Sequence, residues 1–159
     1  MNLERVAVIG GGPGGLYAAR LLKRSHPDAE VTVYEQSSPD TTFGFGVGLA
    51  SRTQRNLRDA DAASLDAIVA AAHPHEMSMQ VGSEVARLAH GDLLAIARTT
   101  LLAVLQQHAQ DAGVHLRFGE RREAADLDAD LVIAADGINS ATRTQLTDEF
   151  EPRIDSGAG

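Results

Sequence analysis

Three glycines and one glutamate have the types and spacing that could do chemistry. Gly10, Gly12 and Gly15 sit at G-x-G-x-x-G spacing within Val8-Ile9-Gly10-Gly11-Gly12-Pro13-Gly14-Gly15-Leu16. Glu35 follows Gly15 by about 20 residues, at the end of a second apolar run, Val31-Thr32-Val33-Tyr34. This pattern suits the pyrophosphate and ribose of a dinucleotide. Gly10 permits a tight exit from a strand. Gly12 has no Cβ, so a phosphate can approach the backbone, and Gly15 lets the following helix lie close to the strand. The first turn of that helix, opened by Pro13 and Gly14, offers N–H groups and a partial positive charge to an anion. Glu35 accepts from ribose hydroxyls and repels a 2′-phosphate, which argues against NADP at this site. The competing reading is a glycine-rich turn beside an ordinary surface glutamate. The strand before, the helix after and the acid at the expected distance favour the binding site.

These residues need a βαβ frame. The unbroken apolar run Val6-Ala7-Val8-Ile9 predicts a buried parallel strand over 1–9. A helix is expected over 13–24, a turn at 25–28 and a second strand over 30–35. Residues 36–53 are polar and glycine-rich. Gly44, Gly46 and Gly48 alternate there with apolar residues, which suits either backbone lying against a flat ligand or a glycine-rich loop or edge strand. Arg52 and Arg55 are open between anion contacts and solvated helix-start arginines. Two helices are expected over 53–60 and 64–72, with Ser64 as N-cap, then two short strands, 77–81 and 85–89, around Gly82-Ser83. A strong helix over 99–112 carries Leu101, Leu102, Val104, Leu105 and Ala109 on one face and closes at Gly113. Strands follow at 114–118 and 131–135, then a short helix capped by Ser140. The predicted organisation is one α/β domain over 1–150 and a loose tail over 151–159, the aperiodic stretch beginning near Glu149.

The 159 residues suffice for a domain with a real core. Fourteen Lys and Arg against 22 Asp and Glu give a net charge of −8, which argues against nucleic acid or an anionic membrane as partner. There is no Cys, hence no disulfide, thiol catalysis or Cys-ligated metal. His73-Pro74-His75 lacks an accompanying acid cluster and is not read as a metal site. The other histidines are scattered, and no triad is visible. Without a signal-peptide pattern or an apolar run of spanning length, a cytoplasmic protein is expected.

Three motifs, in order, resemble the N-terminal part of the FAD-dependent aromatic hydroxylases, the single-component flavoprotein monooxygenases. The glycine turn with Glu35 resembles their ADP-binding fingerprint. Ala97-Arg98-Thr99-Thr100-Leu101-Leu102 resembles the Arg-x-x-Leu segment that opens their second main helix. Asp130 to Arg143, with Asp136-Gly137 at its centre, resembles their second signature, though Ala134 stands where glycine is more usual. The segments 42–49 and 90–98 are similar to the branch acting on aromatic CoA thioesters, the salicylyl-CoA and 2-aminobenzoyl-CoA hydroxylases.

The resemblance implies a Rossmann-like FAD-binding fold with a parallel central sheet and a small β-hairpin insertion. It implies FAD as cofactor, NAD(P)H as transient reductant and an aromatic small molecule as substrate. Gly10, Gly12, Pro13, Gly14, Gly15 and Glu35 would hold the ADP half. Arg98 would lie near the flavin or its phosphates, and Asp136 with Gly137 near a ribose or ribityl hydroxyl. No catalytic acid or base is implied. The family's substrate domain and its later Gly-Asp motif have no counterpart after Asp136, so a homo-oligomer or a second chain completing the site is expected. Two other readings are an NAD-binding Rossmann domain of a reductase, which the Arg98 and Asp136 segments oppose, and a non-catalytic nucleotide-binding remnant or partner module.

Overall fold

The computed structural model describes residues 3–39, 41, 45–88 and 93–150. In chain order the strands are β1 (Arg5–Ile9), β2 (Glu30–Glu35), β3 (Gly46–Leu49), β4 (His73–Pro74), β5 (Met77–Val81), β6 (Glu84–Leu88), β7 (Leu94–Ala97), β8 (His115–Phe118) and β9 (Leu131–Ala134). The helices are α1 (Pro13–Ser25), α2 (Ser51–Ala71), α3 (Arg98–Asp111), α4 (Ala141–Gln145) and α5 (Thr147–Phe150). The chain divides into two compact units, one of residues 1–38 with 112–159 and the other of residues 39–111.

The first unit is built on a four-stranded parallel sheet of order β8-β2-β1-β9. Val6, Ala7, Val8 and Ile9 are all buried, as a central strand covered on both faces requires. Val31 and Val33 of β2 and Leu16 and Ala19 of α1 join this core. Burying each large aliphatic side chain stabilises the unit by about 1.5–3 kcal/mol before entropy is counted. A polar latch fixes the other end of β1. The Asp130 carboxylate accepts the N–H groups of Glu4 and Arg5, both at 2.8 Å, and these bonds hold its pKa below the usual Asp value. The Asp130 N–H returns to the Arg5 carbonyl at 2.9 Å.

The strand order places the carboxyl ends of β1, β2 and β9 side by side. The chain moves from β1 towards β2 and β8, then returns to the opposite side of β1 with β9. Reversals of this kind leave a crevice beyond the strand ends, where open α/β sheets bind ligands.

The second unit contains the antiparallel sheet β3-β7-β4, the hairpin β5–β6 and helices α2 and α3. Its core gathers Leu49, Leu65, Ile68, Ile96, Leu101, Leu102 and Leu105. The glycine alternation at 46 and 48 resolves as a strand, β3, paired with β7; residues 42–44 lie outside the described residues. The two helices expected over 53–72 form one element broken at Asp61, whose backbone is extended (φ −158°, ψ 90°). Ser64 is therefore not the N-cap: it lies inside the second helical segment, and its hydroxyl donates to the Asp61 carbonyl at 3.0 Å. Asp61 takes the cap position because its extended backbone starts the helix three residues earlier. Arg52 and Arg55 are exposed in the first turns of α2. The helix expected from residue 99 starts at Arg98, directly from β7. Glu149 and Phe150 belong to α5 rather than to a tail, because the short helices α4 and α5 follow one another; 151–159 lie outside the described residues. No helix among the described residues is long and apolar enough to cross a membrane, and none of their His, Asp and Glu side chains gather in threes as metal ligands would.

Candidate functional site

The site grows from the carboxyl end of β1. Gly10 leaves the strand at φ +106°, a conformation that only glycine adopts without strain. A β-carbon there would also overlap the Ala135 carbonyl. The Gly10 N–H donates to the Tyr34 carbonyl at 2.8 Å, and the Ala135 N–H donates to the Ile9 carbonyl at 2.8 Å. The turn is thus clamped between the ends of β2 and β9. Gly12 is the N-cap of α1, with Pro13 as its first residue, and the first closing bond runs from the Leu16 N–H to the Gly12 carbonyl at 3.0 Å. This leaves the N–H groups of Gly14 and Gly15 without an intrahelical acceptor. Added β-carbons at Gly12 and Gly14 meet nothing within 4 Å, whereas one at Gly15 would strike the Gly10 carbonyl. The two glycine roles separate cleanly: Gly12 and Gly14 keep a face open, and Gly15 packs the helix against the turn.

Glu35 closes this cradle. Its Oε2 accepts the Gly11 N–H at 2.7 Å and its Oε1 accepts the Ser37 N–H at 2.8 Å. A carboxylate has about four lone-pair positions, so each oxygen retains capacity for a ribose hydroxyl. Sequence reasoning assigned Gly11 no role. The structure packs it against Glu35, where an added β-carbon would come within 2.9 Å of the Glu35 Cβ. The one signal for this was the third consecutive glycine.

Asp136 and Gly137 stand at the end of β9, next to the turn. Gly137 has φ +81° and starts the loop into α4. The Asp136 carboxylate is engaged with α4 itself. It accepts the Ser140 hydroxyl at 2.6 Å, the Thr142 N–H at 3.1 Å and the Thr142 hydroxyl at 3.2 Å. Ser140 in turn accepts the Arg143 N–H at 2.9 Å as the helix N-cap, and the Arg143 guanidinium donates to the Ile138 carbonyl. Sequence reasoning anticipated the Ser140 cap but missed that Ser140 and Thr142 occupy Asp136; their positions four and six residues beyond it were the available signal. A groove of about 610 Å³ opens beside this loop, lined by residues including Val132, Ala134, Ser140 and Leu146. That volume lies within the range of small-molecule sites.

Partial burial pushes the Asp136 carboxyl up, but its hydrogen bonds from Ser140 and Thr142 outweigh this and hold it below the ordinary Asp value. The depressed folded-state pKa contributes stability that is present above the unfolded value of about 3.9 and is lost as pH falls through the folded value. Asp136→Ala leaves the Thr142 N–H and the Ser140 hydroxyl without this acceptor, at a cost of about 1–3 kcal/mol. Thermal melts of the two proteins should therefore differ at pH 5–7, and the gap should begin to close only below about pH 4 and go on closing as pH falls through the folded value. A gap that persists unchanged into strong acid would show that the carboxylate is not its source.

Arg98 belongs to the second unit. Its N–H donates to the Phe45 carbonyl at 3.3 Å, and its Nε is buried with no hydrogen-bond partner. A buried guanidinium N–H without an acceptor calls for one.

The parallel sheet, the glycine turn and the acid at the end of β2 define a nucleotide-binding α/β protein of the doubly wound kind. The chain belongs to the FAD binding domain family, which matches residues 4–125 and so spans both units. It is 44% identical over 151 residues to salicyloyl-CoA 5-hydroxylase of Streptomyces sp., covering 93% of this chain and 29% of that protein. It is 35% identical over 147 residues to 3-hydroxy-4-methyl-anthranilyl-[aryl-carrier protein] 5-monooxygenase of Streptosporangium sibiricum, covering 92% of this chain and 42% of that one. Among solved structures it resembles the tetrameric form of 2-methyl-3-hydroxypyridine-5-carboxylic acid oxygenase, with a TM-score of 0.78 and 26% identity over 92% of this chain and 43% of that chain. The chain therefore spans less than half the length of these relatives and corresponds to their N-terminal part.

Proposed function

We propose that this chain is the FAD-binding portion of an NAD(P)H-dependent monooxygenase that hydroxylates an aromatic substrate, carried as a CoA thioester. The observation that carries this reading is the cradle of Gly10–Gly15 and Glu35 in a chain of the FAD binding domain family. The thioester is supported by the salicyloyl-CoA relative and by the resemblance of segments 42–49 and 90–98 to the CoA-thioester branch. The cradle fits the ADP half of FAD: its open Gly12 and Gly14 face admits a pyrophosphate, which the N-terminus of α1 favours electrostatically. Glu35 accepts the ribose hydroxyls. Arg98, with its unpartnered Nε, supplies a cation for the flavin or its phosphates. Asp136 acts chiefly by holding the Gly137 loop and α4, with its remaining lone pair open to a ribose or ribityl hydroxyl.

When bound, FAD supplies the redox chemistry, accepting hydride from NAD(P)H and reducing O₂. This chain's residues bind and orient it. The domain is read as residues 1–150, in a cytoplasmic setting where NAD(P)H is available. Full activity requires the rest of the length seen in the relatives, from the same polypeptide, a second chain or a homo-oligomer. The test is an absorbance spectrum and a flavin-fluorescence titration of the purified chain, before and after desalting with FAD. Saturable FAD binding that ADP displaces is expected. A chain folded by circular dichroism that binds no FAD at any concentration overturns the reading.

A further inference from the structure

Gly11 differs from the other glycines of the turn in what hems it in. At Gly10 and Gly15 an added β-carbon would strike backbone, the Ala135 and Gly10 carbonyls. At Gly12 and Gly14 it would meet nothing within 4 Å. At Gly11 the three nearest atoms all belong to one side chain, that of Glu35: Cβ at 2.9 Å, Cγ at 3.2 Å and Oε2 at 3.3 Å. Gly11 is not among the glycines at positive φ, so an alanine there meets no backbone strain. The demand for glycine at this position is made by Glu35.

Gly11 also supplies Glu35 with a backbone donor. Its N–H reaches Oε2 at 2.7 Å, while the Ser37 N–H reaches Oε1 at 2.8 Å. A donor on each oxygen fixes the carboxylate, because rotation would break both charge-assisted bonds. The main chain that carries it is held on two sides. The Glu35 carbonyl accepts the Glu120 N–H at 3.0 Å, the Ser37 carbonyl accepts the Gly119 N–H at 3.2 Å, and the Gly10 N–H holds the Tyr34 carbonyl at 2.8 Å. The end of β2 therefore cannot easily retreat from the turn. A methyl group at position 11 displaces the part of Glu35 that can move, its Cγ and carboxylate, and takes them off the Gly11 N–H. That N–H is spent on the carboxylate rather than on a phosphate, which leaves the pyrophosphate to the N–H groups of Gly14 and Gly15.

We infer that Gly11 is a positioning residue for ribose recognition: it holds the Glu35 carboxylate where a vicinal diol is read, and it takes no part in binding the phosphates. The inference rests on the reading of the cradle as the site for the ADP half of FAD, and it makes selection for the ribose separable from affinity for the phosphates. Calorimetric titration of the full, flavin-free chain with ADP and with 2′,3′-dideoxy-ADP tests it. The wild type is expected to prefer ADP by about tenfold or more, the worth of hydroxyl hydrogen bonds to a charged acceptor. In Gly11→Ala the preference should fall to about twofold or less, with affinity for the dideoxy nucleotide within about twofold of the wild type's. Damage to the turn in general would weaken both nucleotides and leave their ratio unchanged. In a Glu35→Ala background Gly11→Ala should cost no further ADP affinity, because its effect passes through the missing carboxylate. Circular dichroism establishes that each variant is folded. Amide hydrogen exchange gives a readout that needs no change at Gly11: its N–H should exchange about tenfold faster or more in Glu35→Ala than in the wild type. Equal exchange overturns the proposal whether or not Gly11→Ala folds. A wild type that binds neither nucleotide overturns the FAD reading and this inference together. A wild type that binds the two alike, or a Gly11→Ala protein that keeps the preference for ADP, overturns this inference alone.

Discussion

Gly15→Ala is expected to lower the melting temperature by about 5–10 °C and to weaken FAD binding about tenfold or more. The added methyl would lie on the Gly10 carbonyl, and its next neighbour, the Ala135 Cβ, is 3.2 Å away. Both obstacles belong to the clamped end of β1 and β9, so neither can yield without moving the turn. Overpacking of this kind costs about 1–3 kcal/mol. The helix that shifts to relieve it also carries the N–H groups aimed at the phosphates, so stability and affinity should fall together. Gly14→Ala is the control for stability alone, since its open face is where the pyrophosphate is proposed to lie. Its β-carbon points into open space, and replacing glycine in a helix stabilises by up to about 1 kcal/mol. Differential scanning calorimetry and flavin titration of the pair separate the two roles. Equal melting temperatures of the two variants would show that helix packing at Gly15 does not hold the turn.

Glu35→Ala is expected to weaken FAD binding by about 10- to 100-fold, the range of one or two lost hydrogen bonds to a charged acceptor. The same change removes the acceptor of the Gly11 and Ser37 N–H groups, so the free protein should also melt earlier. Glu35→Gln should fall between, since an amide offers one accepting oxygen where the carboxylate offers two. The discriminating measurement is a parallel titration with ADP and with riboflavin. ADP affinity should fall with that of FAD, because both carry the adenosine ribose; riboflavin affinity should not change. A Glu35→Ala protein that binds ADP as the wild type does would remove Glu35 from the ribose site.

Residue Asp136 shows where local reading reached its limit. Its position after an apolar strand and before a capped helix was visible in the chain. What its carboxylate touches was not. Both oxygens accept hydrogen bonds from Ser140 and Thr142, and that depends on how the loop folds back after Gly137. Asp61 and Ser64 make the same point in the second unit. Serine and aspartate both cap helices, and only the backbone angle at Asp61 decides between them.

The sequence by itself determined the elements whose signals are short-ranged. The apolar run 6–9, the glycine turn, the strand 30–35 and the apolar face of α3 each follow from period, glycine placement and capping chemistry within a few residues. It also carried the expectation of a dinucleotide ligand, because G-x-G-x-x-G with an acid about 20 residues on suits a pyrophosphate and a ribose. Tertiary structure alone decided two further things. It set the order β8-β2-β1-β9, which brings Gly10 and Asp136 to adjacent strand ends although 126 positions separate strands as close as Glu4 and Asp130. It made Gly11 a partner of Glu35. Each depends on which distant backbone groups find one another, and hydrogen bonds between strands carry no signature in the sequence on either side.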